Sequence, residues 1–208
     1  DIPVVIGETN EETRPVFSAK AESAETSILF AEDDNLILKA AYQKESLVYE
    51  TPDYPQLEGD LGGCYQIKNT NTILHALGYR IEEKNVRDGF AHVNELTGLM
   101  GRWQKLSTSP LLICDTGHNI GGITYITHQI STIPHKHLHI IIGMVNDKDI
   151  RGVLALLPQE ATYYFTKASV KRAMPEKEFQ KIAGEFGLRG ESYPAVIDAV
   201  RAAQEKSL

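Results

Sequence analysis

Apolar residues gather at positions 2–7 in a short continuous run closed by Gly7, the pattern of a strand buried on both faces of a parallel sheet. A helix should follow over 11–24, with Val16, Ala19 and Ala24 as inward positions, and 27–31 (SILFA) reads as a second parallel strand. From 33 to 61 the pattern is less regular. Asp33-Asp34-Asn35 is a turn, 36–41 and 46–50 are candidate paired strands, and 51–55 carries two prolines. Helical periodicity returns at 65–77, where Ile67, Ile73, Leu74 and Leu77 share a side and Gly78 supplies the stop. It returns again at 86–96, with Phe90, Val93 and Leu96 apolar and Gly98 after them.

Thr97-Gly98-Leu99-Met100-Gly101 places two glycines between a helix and a new alternating pattern, which divides the chain into domains 1–98 and 99–208. Beyond it strand and helix alternate: strands at 111–115 (LLICD), 138–145 and 161–167, helices at 121–133, 149–157 and 175–186, then a short segment at 191–193 and a last helix over 194–205. This alternation predicts an α/β fold, a doubly wound parallel sheet with a Rossmann-like outline.

Composition narrows the function classes. With 208 residues, 42% hydrophobic and 24% charged, the chain is neither disordered nor fibrous, and a formal net charge of -7 argues against a nucleic-acid partner. No apolar run reaches the about 18–20 residues of a membrane span. Two cysteines, Cys64 and Cys114, cannot build a disulfide framework and fit free thiols in a reducing cytoplasm. The chain opens without Met or a signal sequence, directly into a strand-like run, so a piece of a longer polypeptide is expected.

Ligands of open α/β sheets bind at the carboxyl ends of strands. After LLIC comes Asp115-Thr116-Gly117-His118-Asn119: an Asp suited to a ribose hydroxyl or a metal-bound water, a glycine for a tight turn, and an imidazole and an amide at a helix start. Helix capping by Asp and Asn is the competing reading. After the next strand, Lys148 can meet a phosphate or carboxylate, or the turn is simply solvated with Asp149 as cap. After the third, Lys167 to Arg172, with Ser169 and Lys171, form a basic turn suited to an anion. Arg102, beside the only Trp at the domain boundary, can fork to phosphate oxygens or pack the boundary. His135, His137 and His139 alternate toward one side of a strand, but at its start and without a nearby carboxylate, so no metal site is expected. No G-x-x-x-x-G-K-[ST] occurs in the 208 residues.

Val4-Val5-Ile6-Gly7-Glu8, Tyr65-Gln66-Ile67-Lys68-Asn69, Gly101-Arg102-Trp103-Gln104, Asp115-Thr116-Gly117-His118-Asn119 and Asp147-Lys148-Asp149, in this order and spacing, resemble the bifunctional folylpolyglutamate synthase/dihydrofolate synthase family of the Mur ligase superfamily. The resemblance implies that 1–98 is the C-terminal part of a central ATPase domain and 99–208 a Rossmann-like glutamate ligase domain. It implies a cytoplasmic, monomeric enzyme that uses MgATP to activate the carboxylate of dihydropteroate or folate as an acyl phosphate, which L-glutamate then attacks. By the same resemblance Asn69 lies on the adenine side, Arg102 reaches ATP phosphates, Asp115 contacts the nucleotide, and His118 and Asn119 lie near nucleotide and glutamate. Lys148, Ser169 and Arg172 become candidate glutamate or phosphate contacts, and Gln66 supports the Asn69 helix.

The motif departs from the family's D-G-A-H-N-P at Thr116, Gly117 and Ile120; loss of the proline loosens the helix start without removing a ligand. The family's P-loop, folate-binding loop, Mg2+ ligands and modified lysine are expected upstream of residue 1, and its last strand beyond Leu208. No catalytic residue is assigned within the chain, which is expected to be inactive alone. A Mur-type ligase for another amino acid and a non-catalytic nucleotide-binding module are the alternatives.

Overall fold

The structure is a computed structural model that describes residues 2–43, 46–77 and 81–207; Gly78, the expected helix stop, and both terminal residues lie outside them. The chain divides into two compact units, Asp1–Gln104 and Lys105–Leu208.

In the first unit β1 (Val4–Ile6) and β2 (Ile28–Phe30) pair in parallel through the helix α1 (Thr13–Ser23), as the pattern predicts. Asn10 starts α1, its Oδ1 accepting from the backbone N–H groups of Glu12 and Thr13 at 3.1 and 2.7 Å. The inward positions differ from expectation: Val16, Ala19 and Ala24 are exposed and Ala21 is the buried residue. Arg14, stacked 4.0 Å over the Phe30 ring, and Ala21 are two turns apart and so share a face. Val16 lies about 200° round from Arg14, and Ala24 has already left helical geometry.

An antiparallel sheet follows, in the order β3 (Lys39–Gln43), β4 (Ser46–Glu50), β5 (Leu57–Gly59). β3 starts later than expected because side-chain amides take the preceding donors: Leu36 N–H goes to Asn71 Oδ1 and Ile37 N–H to Asn35 Oδ1. β5 was not anticipated, being too short to show alternation, yet it buries Leu57 completely. The helix α2 (Gln66–Leu77) covers this sheet with Leu74, Ile67 and Leu77, packed in one cluster with Ile37, Leu47, Tyr49 and Leu57. Ile73 instead stands exposed, and the rest of the buried face is polar: Gln66, Thr70 and Asn71. Asn71 Nδ2 donates to the Ala31 and Asp34 carbonyls at 2.6 and 3.1 Å, while burial pushes the Tyr49 hydroxyl up to about 12 against its hydrogen bond with Thr70.

The single helix expected over 86–96 is two, α3 (Glu83–Ala91) and α4 (Val93–Thr97), broken at His92. Asp60 makes the break. Its N–H donates to the Phe90 carbonyl at 3.0 Å and its Oδ2 accepts from Asn94 N–H at 2.8 Å, so it replaces the bond that one continuous helix would form between those groups. Leu96 consequently ends exposed, and Gly98 closes α4 in the left-handed conformation.

In the second unit β6 (Gln104–Thr108) pairs with β7 (Leu111–Cys114), then come α5 (Ile120–Thr132), β8 (His139–Ile142), α6 (Ile150–Leu154), β9 (Thr162–Phe165), α7 (Glu176–Glu185), β10 (Arg189–Ser192) and α8 (Val196–Lys206). β10, β9 and β8 form a parallel sheet in that order. The expected α/β fold with a parallel sheet is present, but β7 does not extend that sheet: the two-residue link 109–110 folds it back onto β6. Alternation along β9 separates the layers. Tyr163 and Phe165 meet Val153, Leu154, Phe179 and Ala183 from α6 and α7, and Tyr164 meets Ala199 and Ala203 of α8 on the opposite face. Among the described residues no helix is long and apolar enough to cross a membrane.

Candidate functional site

The residues singled out by sequence fall in three places. In the first unit, Asn69 and Arg102 line one cavity of about 420 Å³. Gly7 and Glu8, directly after β1, form part of its wall, as do Gln66, Lys68 and Thr72 of α2 and the exposed Ile73. A Cβ at Gly7 would lie 2.7 Å from Thr72 Oγ1, so glycine lets α2 approach the strand end closely. The loop after β1 is tied down by Thr9, whose N–H and hydroxyl both donate to Glu32. Those bonds, with the Arg14 charge, hold the Glu32 carboxyl below its ordinary range. Lys68 pairs with Glu8 at the cavity. Asn69 Nδ2 donates to Gln66 Oε1 at 2.9 Å. Arg102 sits between two residues of left-handed backbone, Gly101 (φ 70°) and Trp103 (φ 53°), which turn the chain sharply around it.

In the second unit, Asp115, His118 and Asn119 occupy the junction between β7 and α5. Asp115 Oδ1 accepts from Gly117 N–H at 2.7 Å, folding the motif into a tight turn. Gly117 leaves room for the end of the Ile126 side chain: a Cβ there would lie 2.4 Å from Ile126 Cδ1, which would have to move aside. His118 Nδ1 donates to the Thr116 carbonyl at 3.0 Å, which fixes Nε2 as the unprotonated nitrogen of the neutral ring. Asn119 caps α5, its Oδ1 accepting from Gly122 N–H at 2.8 Å, so the capping reading holds for that oxygen.

The turns after β8 and β9 are brought together by backbone bonds, Asn146 N–H to the Arg172 carbonyl at 3.0 Å and Met174 N–H to the Met144 carbonyl at 2.9 Å. Arg172 pairs with Asp147 at 2.7 Å and Lys167 with Glu176 at 2.7 Å, so two of the basic side chains there are answered by carboxylates. Lys167 holds the Glu176 carboxyl below its usual range. Ser169 is exposed in the same region and Lys148 is half-buried, while Asp149 caps α6 as the sequence suggests. Sequence reasoning passed over Gly7, Lys68 and Thr72 as parts of a site; the glycine ending a parallel strand was the available signal.

A second cavity of the first unit, about 260 Å³, is lined by Asp34, Asp53 and His75 among others and contains none of the expected site residues. Among the described residues no group of three or more His, Cys, Asp or Glu side chains is placed to hold a metal ion.

Both units pair parallel strands through helices, and the second carries polar turns after its strands, where α/β proteins bind ligands. Residues 101–208 match the family "Mur ligase, glutamate ligase domain", and the chain belongs to it. It is 39% identical over 85 residues to the dihydrofolate synthase/folylpolyglutamate synthase of Escherichia coli, a match covering 40% of this chain and 19% of that protein. It is 24% identical over 194 residues to the folylpolyglutamate synthase of Lacticaseibacillus casei, covering 87% of this chain and 44% of that one. The Mycobacterium tuberculosis folylpolyglutamate synthase complexed with ADP and AMPPCP has the same fold: TM-score 0.85 at 22% identity, over 99% of this chain and 48% of that chain. The chain thus spans less than half the length of these relatives.

Proposed function

We propose that the chain is part of an ATP-dependent ligase that adds L-glutamate to folate, to dihydropteroate, or to both. In this reading 1–98 belongs to the central ATPase domain and 99–208 is the glutamate ligase domain of a cytoplasmic, monomeric enzyme. The observation that carries it is the joint placement of Asn69 and Arg102 on one cavity at the carboxyl end of β1. Its volume falls in the range of about 300–1,000 Å³ typical of small-molecule sites, and its walls offer an amide, a guanidinium and an ammonium. These groups fit a nucleotide.

Bound ATP supplies the phosphoryl group that activates the acceptor carboxylate for attack by the amine of glutamate. Asn69 addresses the base, and Arg102 forks onto phosphate oxygens, which its planar guanidinium does better than an ammonium. In the second unit Asp115 and His118 are the candidate nucleotide contacts at their turn, and Asn119, whose oxygen caps α5, offers its N–H donors. Lys148, Ser169 and Arg172 hold a glutamate carboxylate or a phosphate. The Mg2+ that the resemblance implies finds no ligand set among the described residues, and none of these roles depends on it.

Arg102→Ala and Asp115→Ala in the full-length protein test the reading. Each should lower kcat/KM for ATP by about tenfold or more, as expected on losing a charge-assisted contact. Unchanged ATP dependence in both variants would remove the site assignment.

A further inference from the structure

The cavity of about 420 Å³ in the first unit has two walls, the loop after β1 with Gly7 and Glu8, and α2 with Gln66, Lys68, Asn69 and Thr72. They touch where Gly7 faces Thr72, but contact with a bare glycine limits how near α2 can come without holding it there. Both walls are fastened instead to one 3-10 helical turn, Ala31–Asp33, which follows β2 and stands outside the cavity. Glu32 of this turn takes the loop. Its carboxylate accepts from the N–H and the hydroxyl of Thr9, and Arg14 Nη1 donates to it at 3.0 Å. Asn71 takes the helix: its Nδ2 donates to the carbonyls of Ala31 and Asp34 at 2.6 and 3.1 Å, and its Oδ1 accepts from Leu36 N–H at 2.8 Å. Two carbonyls can meet only the donors of this buried amide and the N–H only its acceptor, so the amide has one orientation. His75 Nε2, one helical turn further along α2, donates to the same Asp34 carbonyl at 2.7 Å.

We propose that the turn Ala31–Asp33 gauges the width of this cavity, with Glu32 and Asn71 as positioning residues that set how far the loop after β1 stands from α2, and so how tightly a nucleotide is gripped. The proposal rests on the reading of this cavity as a nucleotide site and adds two residues that touch no ligand. Each fastening joins a cavity wall to backbone that belongs to neither wall. Loosening one lets its wall drift while the other stays, and groups that must meet one ligand from both sides no longer do so together. Because Glu32 and Asn71 act through the same gap, the effects of losing them should not add.

Equilibrium binding of ADP to the full-length protein, with the fraction of protein that binds measured alongside, tests this. Glu32→Ala and Asn71→Ala should each weaken ADP by about tenfold, and the double variant by well under the product of the two. Thr9→Val loses one of the two bonds to Glu32 and should fall between wild type and Glu32→Ala, whereas Thr9→Ser keeps both and should recover the affinity. Should Asn71→Ala fail to fold, the Glu32 and Thr9 variants, changed at exposed positions, decide alone. A purely structural role would lower the melting temperature and the binding fraction but leave the Kd of the folded protein unchanged, which overturns the proposal. So does full additivity of the two alanine effects, or a Thr9→Ser variant as weak as Thr9→Val. Failure of the wild-type protein to bind ADP would instead sink the nucleotide reading itself.

Discussion

Asn119 serves as a cap through one atom and as a candidate ligand contact through another, and the two roles separate on measurement. Asn119→Ala removes the acceptor for Gly122 N–H and should cost about 1 kcal/mol of stability in urea unfolding. Asn119→Ser keeps a cap and should restore most of that stability, so any nucleotide or glutamate affinity still missing in the serine variant belongs to the lost N–H donors. His139 makes the residue-scale case for pH. Its Nδ1 meets the Tyr164 hydroxyl at 2.9 Å, and burial first, then the charges of His137 and of Lys206 on α8, push its pKa below the ordinary 6.5. The folded state thus prefers the neutral ring, and the unfolded chain binds more protons as pH falls through this window. Stability is complete above about 6.5 and is lost as pH drops toward the folded value. Melting temperatures at pH 7.5 and 5.5 should show this fall, and His139→Asn should flatten it.

At the scale of elements, Asp60 governs two helices from a distant point in sequence. Asp60→Ala leaves Asn94 N–H without its carboxylate and should destabilise the protein by about 1–3 kcal/mol in chemical denaturation, whereas Glu58, exposed on the neighbouring strand, should tolerate alanine within about 0.5 kcal/mol. The break it causes also explains where the sequence was readable. Periodicity located α2, α5, α7 and α8 because each buries a stripe set by its own residues. It ran through His92 because the competing hydrogen bonds come from Asp60, which a local window over 86–96 does not contain. β5 escaped notice for a related reason, its three residues gaining meaning only from pairing with β4. The site divides the same way. Asp115, His118 and Asn119 were readable as a strand-end cluster, whereas the meeting of Asn69 with Arg102 at one cavity depends on folding and on a turn at Trp103 that its residue type disfavours.

At the scale of the molecule, each unit carries a core of its own. Val153, Tyr163, Phe165, Phe179 and Ala183 are fully buried within the second unit, and Tyr163, Phe165 and Phe179 form a chain of ring contacts at 5.6 and 5.7 Å. A polypeptide of residues 105–208 should therefore unfold in one cooperative transition with mixed helix and strand circular dichroism; a broad, non-cooperative melt would show that this core is insufficient alone. The first unit is built on another principle, visible in the polar underside of α2. An oily stripe accepts many substitutions and lets a helix settle a little higher or lower, but Asn71 offers one acceptor and two donors to Leu36, Ala31 and Asp34, a combination no other side chain of its size supplies. The helix behaves as a key with a single seat. Exchange of Leu74 for another apolar residue should therefore cost less than loss of the amide at Asn71, and the residues carried two and three places before Asn71 share its fixed bearing.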